Sequence, residues 1–228
     1  MNNRELLLTV CREIEPLLDQ LVLVGGCVTE LLVTDPAAPK PRMTQDVDWV
    51  VNAISLGDYY KLESQLRTFG FSQTQDDYGI ICRWVKGILM LDVMPTDEQI
   101  LGFTNRWYAD AVTYAQRLTI EGITILHITA PFFVASKLEA FTSRGGGDYR
   151  MSHDLEDLIA VIDGRESIIN EIRNAPVQVR EYLAKRVKQL LSEDAFEEAL
   201  PGHLPPDLAG QARFGLLVEK LVRISEIG

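Results

Sequence analysis

Two aspartates one residue apart, Asp46 and Asp48, open an apolar run, Trp49-Val50-Val51. In a strand, residues i and i+2 point to the same face, so the two carboxylates stand side by side. Their repulsion is costly unless a cation joins them, and a pair of hard oxygen ligands suits Mg²⁺. A third acid, Asp92, interrupts the apolar stretch Ile88-Leu89-Met90-Leu91-Asp92-Val93-Met94, where a lone charge is expensive to bury. If that strand lies beside the first, three carboxylates converge on one metal site. If not, Asp92 marks a strand end emerging at Pro95, and the first two acids are a strand edge in water.

Two further groups carry potential chemistry. Gly25-Gly26 follows the apolar run Leu21-Val22-Leu23-Val24 and precedes a short helical pattern. Glycines allow close backbone approach, and a helix N-terminus favours phosphate; the same residues also suit an ordinary strand-to-helix turn. Downstream, Lys137 stands among Phe132, Phe133, Val134, Leu138 and Phe141, and Arg144, His153, Asp154 and Asp157 follow. Asp154 and Asp157 are i, i+3 neighbours on one helix face. These residues form either a binding group or a surface salt-bridge network.

The elements that must position these groups are legible from periodicity. Apolar spacing predicts a helix over residues 4–20, a strand over 21–24, a short helix over 27–33 and a loop over 34–40. A strand is predicted over 46–51, and a helix capped by Ser55 runs to about Phe69 and closes at Gly70. Strands follow over 71–74, 80–85 and 88–94, the last two joined by a turn at Lys86-Gly87. A helix over 107–115 and a strand pair around Glu121-Gly122 complete this part. Thr129 and Pro131 then open a helix to about Phe141, Ser152 caps another, helices continue over 166–174 and 177–192, and Asp207 caps a last one. The pattern is α+β: a mixed-sheet region first, helices after about residue 128.

The chain has 228 residues, 46% hydrophobic and 24% charged, as in ordinary globular proteins. Its net charge of −11 argues against coating nucleic acid through bulk charge. The balance is −7 over residues 1–136, 0 over 137–188 and −4 over 189–228. The middle segment, with Arg144, Arg150, Arg165, Arg173, Arg180, Lys185, Arg186 and Lys188, is therefore where an anion would dock if several of these cations share a face. Three cysteines (Cys11, Cys27, Cys82) without a C-x-x-C pair argue against a disulfide framework or a cysteine zinc site. Glu5, Glu13 and Glu15 interrupt any leader pattern, and no apolar run approaches the roughly 20 residues that span a bilayer. A cytoplasmic protein without membrane partners is expected. His127 in an apolar strand and His203 in a Pro-rich loop support no histidine metal site.

In this order, Gly25-Gly26, Asp46-x-Asp48 and Asp92 resemble the nucleotidyltransferase superfamily with the polymerase-β-like fold. The run from Ala130 through Lys137-Leu138-Glu139-Ala140 resembles the KL-x-A helix of its AbiEii-like branch, which includes type IV and MenT-like toxins. His153-Asp154-Leu155-Glu156-Asp157-Leu158 resembles that branch's RD-x-x-DL helix. The resemblance covers about residues 20–165. It implies a nucleotidyltransferase catalytic core over residues 1–128 and a helical domain over 129–228 contributing Lys137 and Asp154 to the cleft. Asp46, Asp48 and Asp92 would hold Mg²⁺ or Mn²⁺. Gly25, Gly26, Thr29 and Asp157 would bind the NTP, and Lys137 would contact its phosphate. Asp92 would orient or deprotonate the acceptor hydroxyl, and Asp154, with Asp157 second, would be the family's later essential acid. Cys27 stands where many relatives have Thr or Ser, and His153 stands where the RD motif has Arg.

The activity so implied moves an NMP from an NTP onto an acceptor hydroxyl, with release of pyrophosphate. The acceptor is tRNA or other RNA, a protein hydroxyl, or a small molecule, and the toxin branch adds an antitoxin protein as partner. An adenylyltransferase acting on a cationic aminoglycoside is the alternative enzyme, since an acidic cleft would suit it. A non-catalytic nucleotide-binding or regulatory module on the same fold is the alternative of a different class.

Overall fold

Pro16 decides how the first helix ends. In the computed structural model, which describes residues 1–53, 55–74, 81–144 and 147–227, α1 (Asn3–Glu13) stops before it, and a 3₁₀ turn, Glu15–Leu17, replaces the rest of the expected helix. Proline has no amide hydrogen to continue the ladder, and its ring clashes with the preceding turn. Asn2 caps the helix, its side chain and that of Glu5 forming a capping box.

The chain divides into two compact units, Met1–Val28 with Met43–Thr129, and Thr29–Arg42 with Ala130–Gly228. After α1 come β1 (Leu21–Val24), α2 (Gly25–Leu32), β2 (Asp46–Val51), α3 (Leu56–Thr68), β3 (Ser72–Gln73), β4 (Arg83–Lys86), β5 (Leu89–Pro95), α4 (Glu98–Leu101), α5 (Tyr108–Thr113), β6 (Gln116–Ile120) and β7 (Ile123–His127). The strands form a mixed seven-stranded sheet, ordered β3-β4-β5-β2-β1-β7-β6. β2 pairs β5 in parallel and β1 pairs β7 in parallel; the other pairings are antiparallel. Ile80, the first residue of one expected strand, lies outside the described residues. The β4–β5 turn falls at Gly87-Ile88 rather than Lys86-Gly87, because Lys86 still pairs with Leu89.

Alternation sorts the residues of the central strands. Val47, Trp49, Leu91, Val93 and Trp84 point to one face and are fully buried. Each such aliphatic side chain contributes about 1.5–3 kcal/mol on burial, which offsets the cost of clustering charges on the opposite face. Tyr59 of α3 is buried too and donates its hydroxyl to the Val93 carbonyl at 2.7 Å, tying the helix to the sheet.

The second unit is helical: α6 (Ala130–Arg144), α7 (His153–Gly164), α8 (Ile168–Arg173), α9 (Val177–Leu190), α10 (Asp194–Ala199), α11 (Leu208–Ala212) and α12 (Phe214–Ser225). Every residue of α6 from Ala130 to Leu138 is buried, as expected of a helix apolar all round. The single last helix expected after Asp207 is two, broken at Arg213, and α10 carries no apolar periodicity long enough to predict. The loop 34–40 is held by this unit. The amides of Thr34 and Asp35 donate to the Gly164 carbonyl at 2.9 and 2.8 Å, and Arg213 bridges Asp35 and Asp163 at 2.7 Å each. Gly164 permits the approach, since a Cβ there would come within 2.8 Å of Val33 Cγ1. Among the described residues, no helix is long and apolar enough to cross a membrane.

Candidate functional site

Strand register gathers the three acids. Asp48 on β2 lies opposite Asp92 on β5, and Arg83 on β4 lies opposite Asp92 from the other side. Asp46, two residues before Asp48, shares their face. One carboxylate oxygen from each of Asp46, Asp48 and Asp92 lies within 4.8 Å of the other two. Such a cluster of like charge is held only by a cation, and Arg83 supplies one. Its Nε donates to Asp92 Oδ1 at 2.8 Å, and its Nη2 donates to Asp92 Oδ2 at 2.7 Å and Asp46 Oδ2 at 2.9 Å. Thr44 Oγ1 donates to the remaining Asp46 oxygen at 2.7 Å.

Gly25 places backbone against this cluster. It follows β1, whose last residue Val24 pairs with Asp48, and it opens α2 with φ +65°. A Cβ at Gly25 would fall 1.8 Å from Asp48 Oδ2, so both the backbone conformation and the space demand glycine. Gly26 follows in the first turn of α2. Cys27 is buried, and its thiol faces the Asp46 carbonyl at 3.4 Å, pinning α2 to β2. Cys82 adjoins the cluster; burial, then the Asp92 and Asp48 charges, push its thiol up to about 12, so it stays protonated.

The donor set fits a divalent cation. Three hard carboxylates against one guanidinium leave two formal negative charges on these side chains, and oxygen ligands suit Mg²⁺ or Mn²⁺.

The later candidates form a different group, in the helical unit. Lys137 is buried, with its Nζ 3.2 Å from Asp154 Oδ1 and 2.7 Å from Asp157 Oδ2. Each acid is also gripped by an arginine. Arg144 donates to both Asp154 oxygens at 3.0 Å, and Arg42 to both Asp157 oxygens at 2.9 and 3.0 Å. Burial raises the Asp154 carboxyl, but the Arg144 hydrogen bonds and the Lys137 charge outweigh it and hold the group below its ordinary value. Thr29 is fully buried in α2, and its hydroxyl has no hydrogen-bond partner among the described residues. His153 is exposed beside Glu156 at 3.2 Å, His127 is buried against the Ile128 carbonyl at 2.8 Å, and His203 meets the Tyr149 carbonyl at 2.7 Å.

No family model and no curated protein matches the chain. An antigenic nucleotidyltransferase-like protein from Paracoccidioides brasiliensis matches in structure, with a TM-score of 0.53 over 87% of this chain and 94% of that one at 19% identity. The fold is that of a nucleotidyltransferase-like protein. The antibiotic-resistance factor ANT(2'')-Ia is also similar, at TM-score 0.44 and 16% identity over 71% of this chain and 84% of that one.

On this nucleotidyltransferase-like fold, two partners of the acids carry no motif of their own in the sequence, Arg83 and Arg42. Arg83 was within reach of register arithmetic. A turn at Gly87-Ile88 pairs it with Asp92, whereas a turn one residue earlier sets it against Met90 on the same face. Arg42, in a Pro-rich stretch remote in sequence from Asp157, gives no local signal.

Proposed function

We propose that the chain is a divalent-metal-dependent nucleotidyltransferase that moves an NMP from an NTP onto an acceptor hydroxyl. One observation carries the reading: three carboxylates on adjacent parallel strands, within 4.8 Å of one another, beside the backbone of Gly25. Asp46, Asp48 and Asp92 would hold Mg²⁺ or Mn²⁺, which when bound neutralises phosphate charge as the bond to the leaving group lengthens. Gly25 and Gly26 present the first amides of α2, a favourable seat for phosphate oxygens. The acceptor oxygen attacks the α-phosphorus, the bond to the bridging oxygen breaks, and pyrophosphate leaves. The hydroxyl proton passes to Asp92, the acid deepest in the cluster, or to solvent.

Arg83 has two consequences in this scheme. It stabilises the acids in the absence of other cations, and it opposes metal binding by occupying Asp46 and Asp92. The resemblance gives Lys137 a phosphate contact and makes Asp154, with Asp157 second, a later essential acid. The buried ion network around Lys137 favours a positioning role for it, because its ammonium is already enclosed by two carboxylates. Full burial of Thr29 likewise disfavours a direct nucleotide contact by its hydroxyl.

The AbiEii-like branch, with tRNA as acceptor and an antitoxin as partner, belongs to the same proposal. The test is transfer of label from each NTP, with Mg²⁺, into total RNA, total protein or an aminoglycoside. Label in tRNA-sized RNA supports the toxin-like branch, and label in the aminoglycoside supports the small-molecule enzyme. In every arm, Asp46→Asn/Asp48→Asn should lower transfer about a thousandfold or more, the worth of several kcal/mol of metal stabilisation. Transfer unchanged in that variant, with the fold intact, would refute the assignment.

A further inference from the structure

The helical unit holds a cavity of about 530 Å³ lined by Arg173, Arg180, Arg223, Glu226 and Ile227. Arg173 lies in the last turn of α8, Arg180 near the start of α9, and Arg223 in the last turn of α12. Among the described residues, three guanidiniums and one carboxylate line it, in a chain whose net charge is −11. Arg173 and Arg180 make no ion pair among the described residues, and Arg223 reaches Glu219 only at 3.6 Å, with both side chains about half exposed.

Arg180 is the unusual member. Its Nε is buried and has no hydrogen-bond partner among the described residues, while its Nη1 makes a long 3.4 Å contact to the Arg173 carbonyl. A buried donor left without an acceptor costs about 1–3 kcal/mol, more when charged, and like charges around one cavity add repulsion. Favourable interaction with helix C-termini accounts for Arg173 and Arg223 singly. It does not account for the unmet Arg180 Nε–H, nor for the convergence of all three. An anion with several oxygens removes both costs, and the guanidinium fork matches phosphate geometry.

We propose that this cavity is a binding site for phosphate oxyanions, either as a free polyanion such as pyrophosphate or as the singly charged phosphodiesters of a nucleic-acid backbone. Arg180 is the enclosed anchor, Arg173 and Arg223 are the outer clamps, and Glu226 limits affinity by opposing the ligand's charge. None of these residues belongs to the carboxylate cluster, so the site stands independently of the proposed transfer activity.

The test follows arginine Nε–H signals of the full-length, ¹⁵N-labelled protein by NMR. Sodium pyrophosphate is titrated in one arm and bulk tRNA in the other, in EDTA, with Asp46→Asn/Asp48→Asn run alongside so that the acidic cluster cannot contribute. The Arg180 signal is identified by its loss in Arg180→Lys. The expected result is a saturable shift of Arg180 Nε–H that weakens as NaCl is added. Arg173→Gln/Arg223→Gln, both at exposed positions, should weaken binding about tenfold or more, and Glu226→Gln should tighten it. A shift with pyrophosphate alone assigns a free anion; a shift with tRNA at lower concentration that blocks pyrophosphate assigns the backbone. An unmoved Arg180 signal in both arms, or equal affinity in the double variant, would overturn the proposal.

Discussion

Asp92 on the sheet and Asp157 in the helical unit are both nearly buried carboxylates gripped at two points by an arginine, Asp92 by Arg83 and Asp157 by Arg42. Their surroundings differ in sign. Asp92 is joined by Asp46 and Asp48, so these acids and Arg83 carry a formal charge of −2. Asp157 is joined by Lys137, Asp154 and Arg144, so its group, with Arg42, carries +1. The helical group is supplied with counter-charge by its own chain, as a network that fixes helix packing would be. The side chains named in the sheet group carry an excess of carboxylate, which a cation from outside would balance. Burial and pairing alone would not separate the two; the charge balance does.

If that contrast is sound, removing one member should destabilise the helical group and relieve the sheet group. Asp157→Asn takes the shared acid from buried Lys137 and half-buried Arg42, and should cost about 3 kcal/mol, read as a lowered urea midpoint. The matching change on the sheet, Asp48→Asn, removes like-charge repulsion and should leave the midpoint unchanged or raised. Comparable losses in both variants would erase the distinction.

Gly25→Ala drives a Cβ into Asp48 and places alanine at positive φ. The expected cost is about 1–3 kcal/mol of stability together with loss of metal-dependent nucleotide binding. Arg83→Gln sharpens the comparison from the other side. By withdrawing the internal cation it should tighten Mn²⁺ binding about tenfold, a modest fraction of the unscreened attraction. Unchanged Mn²⁺ affinity would mean that Arg83 does not compete for the acids.

The smallest effect concerns acid. The folded-state carboxyl of Asp154 lies below its ordinary value of 3.8. Its contribution is therefore complete above that ordinary value and is lost as pH falls through the folded value. Asp154→Asn should flatten the pH dependence of stability below about pH 4, measured by urea unfolding, and leave neutral pH as the region where the variant is weakest relative to the parent.

The sheet cluster was legible in its local part. Asp46-x-Asp48 fixes a face by alternation, whereas the apolar run around Asp92 marks a buried strand without saying that it pairs with the Asp46 strand, which long-range register decides. Arg83 was hidden by a one-residue displacement of a turn, which moves a partner by one pleat while keeping its face. The helical group was legible only in part. Lys137, Asp154 and Asp157 stand on recognisable helix faces, but Arg42 comes from a loop whose placement depends on long-range contacts such as Thr34 and Asp35 with Gly164. Periodicity also overran α1, because apolar spacing continues through Pro16 although the helix cannot.

The most direct test of the central claim is calorimetric titration of Mn²⁺ with a non-hydrolysable NTP analogue into the full-length protein and into Asp46→Asn/Asp48→Asn. Nucleotide binding that requires Mn²⁺ in the parent and disappears in the folded variant is the predicted result. Nucleotide binding that is indifferent to Mn²⁺, or that survives intact without the two acids, would contradict the account.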